Sequence, residues 1–262
     1  MIYVSMTRTI LITSGKGGVG KTTLTSNLAV ALSYIGNSVV AIDANLTTPN
    51  LGIHAGMQLA PNTLHDVLRG NKSLRDATYP HPTGVTFIPA SMSLQDLENA
   101  DVGRLPEVTM SLAGKADFVL VDSAAGLGRE AVAAIQSVDE VLIVTNPDLP
   151  SVADALKTAN VAKQLNKKIL GVVVNRIHGR EHEMAKDDIE GMVGQPVIAE
   201  IPEDAAIPRS VAEKNPLLSY DGTSPAAYEI RNLAYQLSGL PFKPKRPKTF
   251  NLLERLVNWM VG

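Results

Sequence analysis

One eight-residue segment constrains this chain more than any other: Gly15-Lys16-Gly17-Gly18-Val19-Gly20-Lys21-Thr22. It reads G-x-x-x-x-G-K-T. It stands between an apolar, β-branched run at 9–13 and a helix-like segment that starts at Lys21 and stops near Gly36. Strand, glycine loop, helix is the context in which this motif cradles phosphate. The glycines let backbone N–H groups turn inward around phosphate oxygens, and the helix N-terminus adds a favourable partial charge. Lys21 is placed to contact β- and γ-phosphates and Thr22 to ligate Mg²⁺ through its hydroxyl. The expected ligand is a purine nucleoside triphosphate with Mg²⁺.

Six further apolar runs follow, at 38–42, 85–88, 118–121, 141–145, 169–174 and 197–201. They are apolar throughout rather than alternating, which predicts strands buried on both faces. Helix-like segments lie between most of them. The order predicts an α/β fold, a mostly parallel sheet with helices on both faces. Ligands in such folds sit at the carboxyl ends of the strands. The glycine loop, Asp43, Asp122, Asn146 and Asn175 all fall at expected strand ends. Asp122 suits a Mg²⁺-bound water, although an Asp there also serves as a helix N-cap. Asp43 is placed to polarise a water near the γ-phosphate or the metal.

Composition bounds the rest. The 262 residues suit one large domain, read here as residues 1–240, with a tail. A net charge of −2 gives no support for nucleic-acid binding. The absence of cysteine excludes disulfides, iron–sulfur clusters and cysteine-based zinc sites. Among the five histidines only His178 and His182 come near a ligand spacing, and no zinc site is expected. No signal-peptide pattern and no stretch of roughly 18 apolar residues is seen, so the expected location is cytoplasmic.

With these motifs in view, residues 16–23 resemble the deviant Walker A motif of the MinD/ParA family of P-loop ATPases. Asp43-Ala44-Asn45 with Pro49-Asn50-Leu51 resembles that family's first switch region, and residues 118–126, FVLVDSAAG, its second. Residues 145–148 and Val174-Asn175-Arg176 fit as well, and Pro202, Glu203 and Asp204 fall where the family holds the base. The resemblance spans residues 9–240 and favours ATP. The guanine-reading N-K-x-D element is missing, since Asn166-Lys167-Lys168-Ile169 lacks its Asp. It also implies an ATP-bound sandwich homodimer in which Lys16 reaches the partner's nucleotide, as an arginine finger does elsewhere. The spacing alone leaves Lys16 open as a solvated surface lysine.

Two positions depart from the family pattern. Asn45 stands where a second Asp, tied to hydrolysis, is usual. Asn is neutral and accepts no proton, though it can orient a water. Either a slow natural variant or a substitution made to preserve ATP gives this residue, and both leave binding and dimerisation intact while turnover falls. Ala124 replaces a common Pro in the second switch and removes no catalytic group.

Residues 241–249 carry prolines and cations and read as an extended basic linker. Residues 250–262 then show a helical period. Phe250, Leu253, Leu256, Val257, Trp259 and Met260 share one broad arc. The segment is too short to span a bilayer but suits one that lies in its interface, with the linker drawn to anionic lipid. The MinD members of the family end in such a membrane-targeting helix. The resemblance therefore implies a peripheral protein on the inner face of the cell membrane that positions a regulatory or cargo protein. A DNA-partitioning ATPase and a non-hydrolysing scaffold are the alternatives.

Overall fold

Apolar β-branched runs become strands wherever both faces can be covered, and this governs the computed structural model, which describes residues 7–93, 96 and 100–242. The strands are β1 (Arg8–Thr13), β2 (Val39–Ala44), β3 (Tyr79–Pro80), β4 (Val85–Ile88), β5 (Phe118–Ser123), β6 (Glu140–Thr145), β7 (Lys168–Ile177) and β8 (Val197–Pro202). The helices are α1 (Lys21–Tyr34), α2 (Leu51–His54), α3 (Leu64–Leu68), α4 (Leu105–Met110), α5 (Arg129–Gln136), α6 (Leu149–Gln164), α7 (Lys186–Val193), α8 (Ala206–Ala212), α9 (Leu217–Tyr220) and α10 (Pro225–Leu237). The linker beyond 242 and the amphipathic segment 250–262 lie outside the described residues.

The strand order is β3-β4-β2-β5-β1-β6-β7-β8. All pairings are parallel except that of β3 with β4. Alternate side chains of the central strands feed two cores. Leu11, Val119, Val121, Val141 and Ile143 enter the layer with α3, α5 and α6. Ile10, Ile12, Leu120, Leu142 and Val144 enter the layer with α1 and α10. Full burial on both faces is why these strands carry no polar alternation.

The expected α/β architecture is observed, with three local differences. β3 is an additional two-residue edge strand, too short and too proline-bound to register as a pattern. Asp43 and Asp122 are the penultimate residues of β2 and β5 rather than the last. β7 runs on to Ile177, so Asn175 and Arg176 lie within the strand. The chain builds outward from β1 to β2 and β4, returns to β5, then crosses to β6, β7 and β8 on the other side. The carboxyl end of β1 is therefore the switch point at which such sheets bind ligands.

Candidate functional site

The glycine loop leaves β1 at that point and runs into α1. Gly20 caps the helix at φ 98°, a left-handed conformation that favours glycine. A side chain at Gly20 would overlap the Asn175 amide, which donates from Nδ2 to the Val19 carbonyl at 2.7 Å. A side chain at Gly15 would overlap the Asp154 carbonyl of α6. The loop is thus pressed between β7 and α6, and its shape is fixed by close approach as well as by turn geometry.

Lys21 is buried, and its Nζ donates to Ser14 Oγ at 2.9 Å. Ser14 Oγ donates to the Lys16 carbonyl at 2.7 Å, and the Ser14 carbonyl accepts from Gly126 N–H at 3.0 Å. The second switch segment is thereby fastened to the loop. Burial holds the Lys21 ammonium below its ordinary value, with the nearby Asp122 carboxylate opposing it.

Asp43 and Asp122 are register partners on adjacent strands, and both are fully buried. Asp122 accepts Thr22 Oγ1 at 2.6 Å and Thr25 Oγ1 at 3.2 Å. Asp43 accepts the N–H groups of Asn45 (3.2 Å), Asn50 (3.1 Å) and Leu51 (2.9 Å). Burial pushes Asp122 up to about 6. Burial, then the Asp122 charge, pushes Asp43 well above the carboxylate range, against its three backbone bonds. Two carboxylates side by side with the Thr22 hydroxyl form an anionic oxygen set that fits a hard divalent cation. A cation with few protein ligands and phosphate oxygens for the rest describes Mg²⁺.

The Asn45 side chain is spent within its own loop. Its Nδ2 donates to the Thr48 carbonyl, and its Oδ1 accepts Thr48 N–H at 3.4 Å and Thr48 Oγ1 at 3.1 Å. Thr47 in turn donates through N–H and Oγ1 to the Glu130 carboxylate in the first turn of α5, just beyond the second switch.

Lys16 turns away from the loop. Its Nζ lies 3.3 Å from Ser151 Oγ and 3.7 Å from Asp148 Oδ1, at the start of α6, with the side chain half exposed. Asp148 caps that helix through Ser151 N–H at 3.0 Å. Burial raises the Asp148 carboxyl, but the Ser151 bonds and the Lys16 ammonium outweigh it and leave the group below its usual range.

Two adjoining cavities open over the loop. The first, about 280 Å³, is walled by Gly17, Gly18, Lys21 and Thr22 below and by Asn45, Thr48 and Asn50 above. The second, about 310 Å³, extends along Asn175, Arg176 and Glu203 to Ile207, Pro208 and Val211 of α8. Gly20, Thr23, His54 and Arg176 border both. Arg176 holds a left-handed φ of 58° and lies 3.8 Å from Glu203. Neither Pro202 nor Asp204 lines the second cavity, and Asp204 accepts the N–H groups of Ala206 and Ala226. The sequence motifs therefore converge here, while Ser14, Thr25, His54, Ile207, Pro208 and Val211 join without a motif of their own.

The comparisons with known proteins agree with this geometry. Residues 10–217 match the CobQ/CobB/MinD/ParA nucleotide binding domain. An ATP-binding protein of Methanocaldococcus jannaschii is 36% identical, covering 97% of this chain and 96% of its own. The septum site-determining protein MinD from Pyrococcus horikoshii, solved with Mg-ADP, superposes with a TM-score of 0.86 at 39% identity, covering 88% of this chain and 96% of its own. MinD in the MinC:MinD complex of Aquifex aeolicus superposes with a TM-score of 0.80 at 30% identity, covering 92% and 99%. The chain belongs to the CobQ/CobB/MinD/ParA nucleotide-binding family and, within it, to the MinD type.

Proposed function

We propose that this protein is an ATP-driven spatial switch. Binding of ATP with Mg²⁺ brings two copies face to face, the paired C-terminal segments hold the dimer on an anionic membrane, and hydrolysis to ADP and phosphate releases it. The carrying observation is the junction of loop and sheet, where buried Lys21 and Asp122 meet the half-buried Thr22, whose hydroxyl donates to Asp122, at the carboxyl end of β1 and β5. Lys21 supplies charge to the terminal phosphates, and Asn175 and Arg176 face the base side. Thr22 and Asp122 would hold Mg²⁺. When bound, Mg²⁺ would supply positive charge to offset that on the terminal phosphate. Asp43 orients water near that group while its carboxylate fixes the first switch.

Lys16 is the intermolecular element. Its half-exposed ammonium makes only long contacts to Asp148 and Ser151, so it is free to exchange them for phosphate oxygens of the nucleotide in a second copy. The two C-terminal segments then act together, and avidity converts dimerisation into membrane affinity. The Aquifex MinC:MinD complex supports a regulatory protein as the partner positioned by the dimer at the inner face of the cell membrane.

A second reading, a scaffold switched by ATP binding without turnover, is favoured by Asn45, whose amide is committed to Thr48 and offers no base. Size-exclusion chromatography with light scattering tests the main reading. Dimer with Mg-ATP, monomer with ADP and with no nucleotide, and loss of the dimer in Lys16→Ala are expected. A monomer under all conditions would refute it.

A further inference from the structure

His54 belongs to none of the sequence motifs, yet it stands at the centre of the cleft. It closes α2, the short helix that begins at Leu51. With Gly20, Thr23 and Arg176 it borders both cavities. The phosphate cavity ends and the base cavity begins at these four residues. A nucleotide with its phosphates on the glycine loop and its base toward Pro208 and Val211 must pass its α-phosphate and ribose between them. Thr23 and Gly20 supply the loop side of that passage, and His54 supplies the opposite side.

We propose that His54 is a specificity-determining contact to the nucleotide ribose, its imidazole paired with a sugar hydroxyl. This rests on the reading of the cleft as an ATP site. Three observations support it. The ring makes no hydrogen bond among the described residues, so both nitrogens are available at the cavity wall. Burial alone pushes His54 down to about 4, so the ring is neutral under ordinary conditions. A neutral imidazole has one donor and one acceptor, which matches a hydroxyl, whereas the phosphates already have Lys21 and the loop N–H groups. The helix that carries His54 is held at its start by Asp43, through the N–H groups of Asn50 and Leu51. A sugar seated against His54 therefore bears on the first switch as well as on affinity, and ADP would share this contact with ATP.

The test is calorimetric titration of the full chain with Mg-ATP, its 2′-deoxy analogue and its 3′-deoxy analogue. One lost neutral hydrogen bond corresponds to about fivefold in affinity. The unmutated protein is expected to bind one deoxy analogue about fivefold more weakly than ATP. His54→Ala is expected to weaken ATP to that level and erase the discrimination, while His54→Gln, which keeps a donor and an acceptor, retains part of it. Thermal melting of each variant without nucleotide separates a folding defect from a lost contact. Equal weakening of all three nucleotides by His54→Ala, or no weakening, overturns the proposal. Failure of the unmutated protein to bind Mg-ATP overturns the nucleotide reading itself and is recognisable as such.

Discussion

At the scale of single residues, the site stores unfavourable electrostatics that a cation relieves. Asp122 is raised from 3.8 to about 6 because its charge is buried. A carboxyl raised in the folded state binds more protons than in the unfolded chain between those values, so stability falls as pH rises through that window. Without Mg²⁺ and nucleotide, Asp122 alone therefore favours the fold as pH is lowered from 7 toward 5, whereas His54, lowered to about 4, acts in the opposite sense, so the Asp122 contribution is read as the difference between the unmutated protein and Asp122→Asn. Asp122→Asn should be more stable than the unmutated protein at pH 7 and lose much of that pH dependence. Melting curves at stepped pH check this, and the same variant should bind Mg-ATP more weakly. Asn45 is the second residue with a definite consequence. Asp at 45 loses the donor to the Thr48 carbonyl and gains a base. Asn45→Asp should raise ATP turnover by about tenfold or more, since a positioned base contributes at least that much. A phosphate-release assay that finds equal rates would assign Asn45 a purely structural role. From the sequence Asn45 was legible only as a missing carboxylate. Its bond to Thr48, which closes the loop, depends on backbone conformation that spacing does not encode.

At the scale of elements, the sheet explains why the site assembles. Matching registers of β2 and β5 set Asp43 beside Asp122, and β1 places the loop next to both. The opposite ends of the strands are tied separately. Glu140 of β6 accepts Arg8 at 2.7 Å and Lys168 at 2.8 Å, joining β1, β6 and β7. Glu140→Ala leaves Arg8 without its carboxylate and should cost about 2 kcal/mol of stability. The nucleotide affinity, governed from the other end of the sheet, should change little, and urea unfolding beside calorimetry checks both. The long apolar strands were readable because double burial leaves an unbroken hydrophobic run. β3 was not, because two residues carry no period. The loop, Lys21 and Thr22 were readable because phosphate binding fixes their spacing, and the two acids because each follows an apolar strand run. The wall formed by Ile207, Pro208 and Val211 was not, because apolar contact to a base asks only for shape.

At the scale of the whole molecule, the proposed function divides sensing and response between the described domain and the tail. On the proposed reading, Lys16 and the two cavities form half of an interface between two copies. No helix among the described residues is long and apolar enough to cross a membrane; the proposed attachment is assigned to residues 250–262, whose sequence includes Trp259. On that reading one such segment would bind marginally and two would bind together, so that membrane affinity would follow dimerisation. Liposome sedimentation tests this coupling most directly, using vesicles with anionic lipid, the full chain and a chain lacking 250–262, each with Mg-ATP or Mg-ADP. The full chain should sediment with ATP and stay in solution with ADP, and the shortened chain should stay in solution with both. Equal sedimentation in all four samples would contradict the account.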